Sequence, residues 1–286
     1  MTIAAGFCCE DGVVLCADTQ LTIPGSLKYP ESKIRMSPDL RSCPVYAFCD
    51  DMDYQKQCIF HFNEAIRGAE SKREHVIRAL EQKAVELHQT YYELYTDPSE
   101  KLNVNMLLSL QLGNKQRLFK IYGPKVAPVE TLECIGAGNY LARALAGTYW
   151  TSDISMHRTG IICTYILADV KKYVDGCGGE SHIICLGDNG LWSMFPSDGL
   201  YFTIEELEAD YEYWKTHTRE LALDYADFKV GESSFERDLV ELTDDLTRVR
   251  GDRMRRYDEV EMLKMEADLA ESRRLQEKVK PPEDET

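Results

Sequence analysis

The stretch Thr2–Asp18, TIAAGFCCEDGVVLCAD, contains two short β-prone runs, residues 2–9 and 13–19, on either side of a polar turn. The turn is Glu10-Asp11-Gly12, and an Asp-Gly pair between apolar runs is typical of a β-hairpin. The chain is therefore predicted to open with a hairpin whose second strand ends near Asp18.

The residues at the ends of this hairpin predict a nucleophile. Removal of Met1 would leave Thr2 with a hydroxyl and a free α-amine, whose ordinary pKa is about 7.7–8.0. A hydroxyl that carries its own base on the same residue is an activated nucleophile. Lys33 follows Asp18 by fifteen residues. A buried Lys beside an Asp stays charged and lowers the pKa of a nearby hydroxyl.

The next 180 residues alternate between strand runs and pairs of helices. Helical spacing of apolar residues predicts helices at about 53–68, 70–95, 139–149 and 155–173. Short apolar runs predict strands at about 44–49, 105–112, 116–122, 131–135, 181–186 and 190–194. Helix pairs do not suit a doubly wound parallel sheet, which has single crossover helices. We therefore expect an α+β fold, a four-layer αββα sandwich of stacked antiparallel sheets between helix layers.

Thr2, the hairpin motif Asp11-Gly12 to Asp18 and the pair Lys33-Ile34 together resemble the proteasome β-type N-terminal-nucleophile (Ntn) hydrolases, including bacterial proteasome-like subunits. The resemblance covers about residues 2–195 and continues through Gly136-Ala137-Gly138 and Asp175-Gly176-Cys177-Gly178-Gly179. It implies that Thr2 is the nucleophile and that Asp18 and Lys33 are its catalytic partners. It also implies supporting roles for Asp175 and Gly138. The glycine whose N–H binds the oxyanion in the family aligns with Phe48 or Cys49, and we assign this backbone role to Cys49.

Several positions depart from the family pattern. Ala137 stands where the family has a helper serine, and the second helper serine is replaced by Cys177 or Gly178. A side chain also replaces the oxyanion-hole glycine. Ordinary structural interpretations stay open for a strand-end Asp18, a loop Lys33, a glycine-rich turn around Asp175 and a buried Cys177.

The last 86 residues differ in composition from the rest. Residues 201–286 contain 25 Asp and Glu against 14 Lys and Arg, and they have no proline before Pro281. This composition predicts an acidic helical C-terminal extension, residues 201–286, beside a proteasome-like domain at 1–200. An apolar heptad pattern suggests a coiled coil, a helix docked on a partner or an amphipathic helix on the chain's own body. Its members are Phe235, Leu239, Leu242, Leu246, Val249, Val260, Leu263, Ala267 and Ala270.

Composition limits the partners and the compartment. With 33 basic against 49 acidic residues the net charge is −16, which disfavours nucleic acid and anionic membranes. The chain shows no secretory signal, no membrane-length apolar run and no C-x-x-C pair, so we expect a reduced, cytoplasmic protein. The histidines show no ligand spacing and Gly136-Ala137-Gly138 lacks a dinucleotide fingerprint, so we expect no metal and no cofactor.

The function predicted first is a threonine-type hydrolase that cleaves amide bonds in peptides or unfolded proteins, in a ring-like homo-oligomer. The ring-like assembly is what the family resemblance implies. One alternative is a catalytically silent, proteasome-like assembly or interaction protein. Another is a small-molecule amidase that uses the same nucleophile. Any regulatory partner is left open.

Overall fold

The computed structural model describes residues 2–23, 27–38, 40, 42–69, 73–92, 102–196 and 203–226, and seven positions between 240 and 255. The chain divides into two compact units, Met1–Phe195 and Pro196–Thr286. No helix in these ranges has the length and apolar character that crossing a membrane requires.

The first unit combines strands and helices. Its strands are β1 Ile3–Cys9, β2 Gly12–Asp18, β3 Gln20–Ile23, β4 Leu27–Pro30, β5 Ile34–Met36, β6 Val45–Phe48, β7 Asn105–Leu112, β8 Lys115–Tyr122, β9 Lys125–Val129, β10 Leu132–Gly136, β11 Ser181–Gly187 and β12 Trp192–Met194. Its helices are α1 Met52–Gly68, α2 Arg73–Leu87 with a π-helical turn His88–Tyr92, α3 Asn139–Tyr149 and α4 Met156–Tyr173.

Two five-stranded antiparallel sheets form the centre of this unit. The first sheet has the order β10-β1-β2-β11-β12, and the second has the order β5-β6-β7-β8-β9. The opening hairpin pairs Cys9 with Gly12 and Ala4 with Ala17, so Thr2 and Asp18 come to the same end of the first sheet. A separate two-stranded ribbon, β3-β4, begins two residues after Asp18.

Alternation along the strands gives each sheet two buried faces, since successive side chains point to opposite sides. On β6, Tyr46 and Phe48 pack in a core with α1 and α2. Val45 and Ala47 instead join a second core that includes Leu15 of the first sheet. The first sheet also contacts α3 and α4. Burial of each large apolar side chain contributes about 1.5–3 kcal/mol to the free energy of unfolding. Together these cores hold the two sheets in place.

The predicted and observed elements agree closely in the first unit. The strand at 105–112 and the helix at 139–149 have the predicted bounds, and the other predicted elements agree within a few residues. The structure adds β3, β4, β5 and β9, which were not predicted. Strand β9 contains Pro128 and lies at the edge of its sheet, where a missing N–H costs no ladder hydrogen bond.

The second unit contains helix α5, Ile204–Ala226. The Thr203 hydroxyl accepts the N–H of Glu206, and the Glu206 carboxylate accepts the N–H of Thr203. This reciprocal capping box fixes the start of the helix. The nine apolar members of the predicted heptad, from Phe235 to Ala270, are outside the described residues.

Candidate functional site

Thr2, Asp18 and Lys33 lie together in the structure. The ammonium of Lys33 donates to Asp18 Oδ1 at 2.6 Å, and the hydroxyl of Thr2 donates to the same oxygen at 3.3 Å. Thr2 directly precedes β1, and Asp18 is the last residue of the adjacent strand β2. Lys33 reaches them from the residue before β5. All three are buried, with 3%, 0% and 1% of their surface exposed.

The carboxylate of Asp18 is the centre of this group. Besides Thr2 and Lys33, its Oδ1 accepts the backbone N–H of Ile3 at 3.1 Å, and its Oδ2 accepts the N–H of Gly178 at 2.9 Å. Four donors fix the orientation of this buried carboxylate. The N-terminal strand and the turn after α4 are therefore both tied to Asp18.

Burial and charge act in opposite directions on Lys33. Desolvation lowers the pKa of its ammonium, while the charge and hydrogen bond of Asp18 raise it, and the net shift is downward. The backbone oxygen of Gln20 accepts a second ammonium hydrogen at 2.7 Å. A cation held this way stabilises negative charge that develops on a neighbouring hydroxyl oxygen.

The glycine motif packs directly against Thr2. Gly138 donates its N–H to the carbonyl oxygen of Thr2 at 3.2 Å. Gly136 has φ +89°, and a Cβ at that position would lie 2.3 Å from the same oxygen. The backbone therefore approaches Thr2 as closely as only glycine permits. Ala137, which stands at the helper-serine position, is exposed.

Cys177 lies beside the group with its thiol protonated at neutral pH. Burial and, to a smaller extent, the charge of Asp18 raise the pKa of Cys177 to about 11, against the opposing charge of Lys33. A thiol with this pKa is a poor nucleophile near pH 7. It lies against Gly138, where an added Cβ would be 3.4 Å from its sulfur. The next residue, Gly178, supplies the N–H to Asp18.

The backbone at the predicted oxyanion position is already hydrogen-bonded. Cys49 donates its N–H to Asn105 O at 3.2 Å, and Phe48 donates its N–H to Lys33 O at 3.1 Å. Neither N–H is free to receive a developing oxyanion. The predicted role of Cys49 therefore requires a rearrangement of the segment after β6. Asp50 in that segment has φ +72°, a left-handed conformation that is unusual for aspartate.

Asp175 is not part of the buried group. It lies in the turn after α4 with its side chain exposed. No hydrogen bond of the described residues joins its carboxylate to Thr2, Asp18 or Lys33. The contact that this turn makes with the site comes from the backbone N–H of Gly178, three residues later.

The structure also shows site contacts that the sequence did not indicate, made by Ile3, Gly178, Gln20 and Gly136. Ile3 and Gly178 donate backbone N–H groups to Asp18, and the backbone oxygen of Gln20 accepts from Lys33. Gly136 packs closely against the carbonyl oxygen of Thr2. Any residue type can supply a backbone N–H or oxygen, so the sequence does not identify these contacts. The glycines of the two turns were the one feature of the sequence that indicated this region. Among the described residues, no three His, Cys, Asp or Glu side chains group as metal ligands do.

Comparison with solved structures finds the same fold in proteins called Anbu. Anbu (ancestral beta-subunit) from Yersinia bercovieri aligns with a TM-score of 0.64 and 10% identity, over 77% of this chain and 97% of that one. Anbu from Hyphomicrobium sp. strain MC1 aligns with a TM-score of 0.60 and 14% identity, over 81% and 99%. A Gly-1 mutant of the latter aligns with a TM-score of 0.61. At these identities the likeness concerns the fold.

The sequence comparisons add nothing to this likeness. No family model matches the chain. No curated protein matches it either.

Proposed function

We propose that this chain is a proteasome-like Ntn hydrolase with a four-layer αββα fold, in which Thr2 cleaves peptide bonds. The observation that carries the proposal is the buried Thr2–Asp18–Lys33 group, with Thr2 and Lys33 both donating to Asp18 Oδ1. The likeness in fold to an ancestral beta-subunit supports it.

The proposed reaction begins when residue 1 has been removed. The α-amine of Thr2 takes the hydroxyl proton while the hydroxyl oxygen attacks the substrate carbonyl. Lys33, held by Asp18 and by Gln20 O, stabilises the negative charge on that oxygen. The amine passes the proton to the leaving group, which gives an ester on Thr2. Water then hydrolyses the ester, with the same amine as base.

The proposed substrate is a peptide or an unfolded protein, and the proposed working form is a homo-oligomer. The Yersinia protein is called a subunit, which supports an assembly here. The heptad pattern in the tail supports the same proposal, because an isolated helix cannot bury an apolar stripe. Light scattering after size exclusion should show a smaller particle when residues 230–286 are deleted. A particle of unchanged size would show that the tail packs only on its own chain.

The experiment that tests the hydrolase proposal compares three chains on fluorogenic peptide amides. The wild type should turn over, Thr2→Ala should fall to background, and Thr2→Ser should keep activity because serine retains both hydroxyl and amine. Activity that persists in Thr2→Ala would contradict the assignment. A single-residue amide in the same assay distinguishes a small-molecule amidase from a peptidase.

A second candidate is a catalytically silent assembly protein with the same fold. Two observations favour it: Thr2 is only 3% exposed, and the N–H groups of Phe48 and Cys49 are both used in backbone hydrogen bonds. Under this function Asp18 and Lys33 tie the N-terminus to the fold. Correctly processed chains that form the assembly and hydrolyse none of the amides would establish it.

A further inference from the structure

A second set of nucleophile-type side chains lies outside the Thr2 group. The Ser32 Oγ and His182 Nδ1 atoms are 3.0 Å apart, although 150 residues separate them in the chain. On the other side of the ring, His182 Nε2 lies 3.7 Å from the carboxylate of Glu180. Ser32 is partly buried, and the side chain of His182 is 28% exposed. Unlike Thr2, these groups are open to small molecules.

One buried residue, Thr19, fixes the backbone near Ser32, His182 and Glu180. Thr19 donates its N–H to Glu180 O at 3.0 Å, and its hydroxyl accepts the N–H of Glu180 at 2.8 Å. Its carbonyl oxygen accepts the N–H of Glu31, directly before Ser32, at 2.8 Å. His182 is held in β11 by its pairing with Ala17. The serine and the imidazole therefore sit on a rigid frame at the end of β2.

The position of the Glu180 carboxylate beside Nε2 favours Nδ1 of His182 as the base. A carboxylate near Nε2 favours a proton on that nitrogen, which leaves the lone pair of Nδ1 facing Ser32. The Ser32 hydroxyl has one hydrogen and two acceptors within reach, His182 Nδ1 at 3.0 Å and Ile34 O at 3.1 Å. Transfer of that hydrogen to Nδ1 is what activates a serine.

We propose that Ser32, His182 and Glu180 form a second nucleophilic site, which reacts with small activated carboxylic esters. The Ser32 oxygen forms a bond to the acyl carbon while its proton passes to His182 Nδ1. The ester C–O bond then breaks, and the leaving alcohol takes this proton from the imidazole. Water repeats the two steps and releases the acid. Ser32 and His182 are the catalytic residues, and Glu180 is a positioning residue.

In this proposal the residue after the nucleophile, Lys33, supplies the oxyanion donor through its backbone N–H. That N–H makes no hydrogen bond to any part of the chain that the structure describes. It follows Ser32 directly, the position from which acyl-transfer enzymes often direct an N–H at the oxyanion. The side chain of Lys33 is turned to Asp18, so only its backbone serves Ser32.

The test uses the full chain carrying Thr2→Ala, so that reaction at Thr2 cannot be mistaken for reaction at Ser32. An alkyl fluorophosphonate should add once per chain, forming the Oγ–P bond with loss of fluoride, and peptide mapping should place it on Ser32. His182→Gln keeps a polar side chain without a base and should slow labelling by about 10²-fold. Ser193→Ala, also partly buried, is the matched control and should change nothing.

Glu180 is tested by the steady-state kinetics of p-nitrophenyl acetate hydrolysis. Glu180→Gln should lower kcat severalfold without a change in KM, because the ring loses orientation and the substrate contacts stay. Melting curves on each variant check that the fold is kept. No label on Ser32, or a labelling rate that is the same in His182→Gln, would overturn the proposal. This result is independent of Thr2, since Thr2 is absent from every chain compared.

Discussion

At the residue scale, substitutions of Lys33 and Asp18 distinguish a catalytic role of their charges from a role in stability. Removal of Lys33 leaves the Asp18 carboxylate buried without its cation, and a broken buried pair costs about 3–5 kcal/mol. We expect Lys33→Ala to lose stability as well as amide hydrolysis. Lys33→Arg should not rescue activity, because the guanidinium fork differs in shape from the ammonium.

The double variant Asp18→Asn with Lys33→Met distinguishes the two roles. It removes both buried charges, so urea unfolding should show part of the lost stability restored while hydrolysis stays at background. Recovery of hydrolysis together with stability would mean that the pair only supports the fold.

Gly136 allows a second residue-scale prediction with a matched control. Gly136 and Gly190 have φ of +89° and +78°, so alanine at either position costs about 1–2 kcal/mol from the backbone. Only at Gly136 does the new Cβ meet the carbonyl oxygen of Thr2, whereas Gly190 has open space around it. We expect Gly136→Ala to lose about 1–3 kcal/mol more than Gly190→Ala in urea unfolding. Equal losses would show that the approach to Thr2 relaxes without cost.

At the element scale, α1 begins at a side-chain cap. Asp51 accepts the N–H of Tyr54 at 2.8 Å, which satisfies one of the unpaired donors at the helix start. Asp51→Ala should lower stability by about 0.5–2 kcal/mol. The matched control is Asp53→Ala in the same first turn, whose side chain is 97% exposed and should matter far less. A larger effect at Asp53 would assign the stabilisation to charge near the helix end.

Most helices and strands of the first unit were predictable because their local patterns agree with their final environment. Runs such as residues 105–112 carry alternating apolar residues between turn signals, and 139–149 has helical spacing. Strands β3–β5 are three or four residues long and polar in part, too short for periodicity to be detected. Strand β9 carries Pro128, which argues against a strand when the position in the sheet is unknown.

The candidate site divides in the same way. Thr2, Asp18 and Lys33 were named from their residue types together with the resemblance to the proteasome β-type hydrolases. The N–H of Gly178, the oxygen of Gln20 and the contact between Ser32 and His182 depend on folding across 13 to 160 residues. No local pattern reports such contacts, because backbone atoms are common to all residues and the separations have no fixed period.

At the scale of the whole molecule, the buried cysteines make stability depend on alkaline pH. All ten cysteines are free thiols. Burial raises the pKa of two of them to about 11 and of four others to about 12, namely Cys8, Cys177, Cys9, Cys58, Cys134 and Cys185. Above the ordinary thiol pKa, the unfolded chain releases these protons and the folded chain keeps them. Stability is therefore present below about pH 8.5 and falls as pH rises towards 11 or 12.

Urea unfolding at several values between pH 8 and 10 measures this dependence. Each such thiol adds a slope of up to about −1.4 kcal/mol per pH unit, so Cys58→Ala should show a shallower decline than the wild type. The variant's loss at pH 8 is a separate packing effect of the removed sulfur. A flat profile in the wild type would show that the thiols ionise within the fold.

The central claim, that Thr2 is an N-terminal nucleophile, is tested most directly by intact-mass analysis after treatment with a peptide epoxyketone. This probe reacts with a hydroxyl and a free α-amine on the same residue, so it reports the nucleophile and the loss of Met1 together. We expect a chain that lacks Met1 and carries one adduct, located on Thr2, with no adduct on Thr2→Ala. A chain that keeps Met1, or an adduct that persists in Thr2→Ala, would contradict the claim.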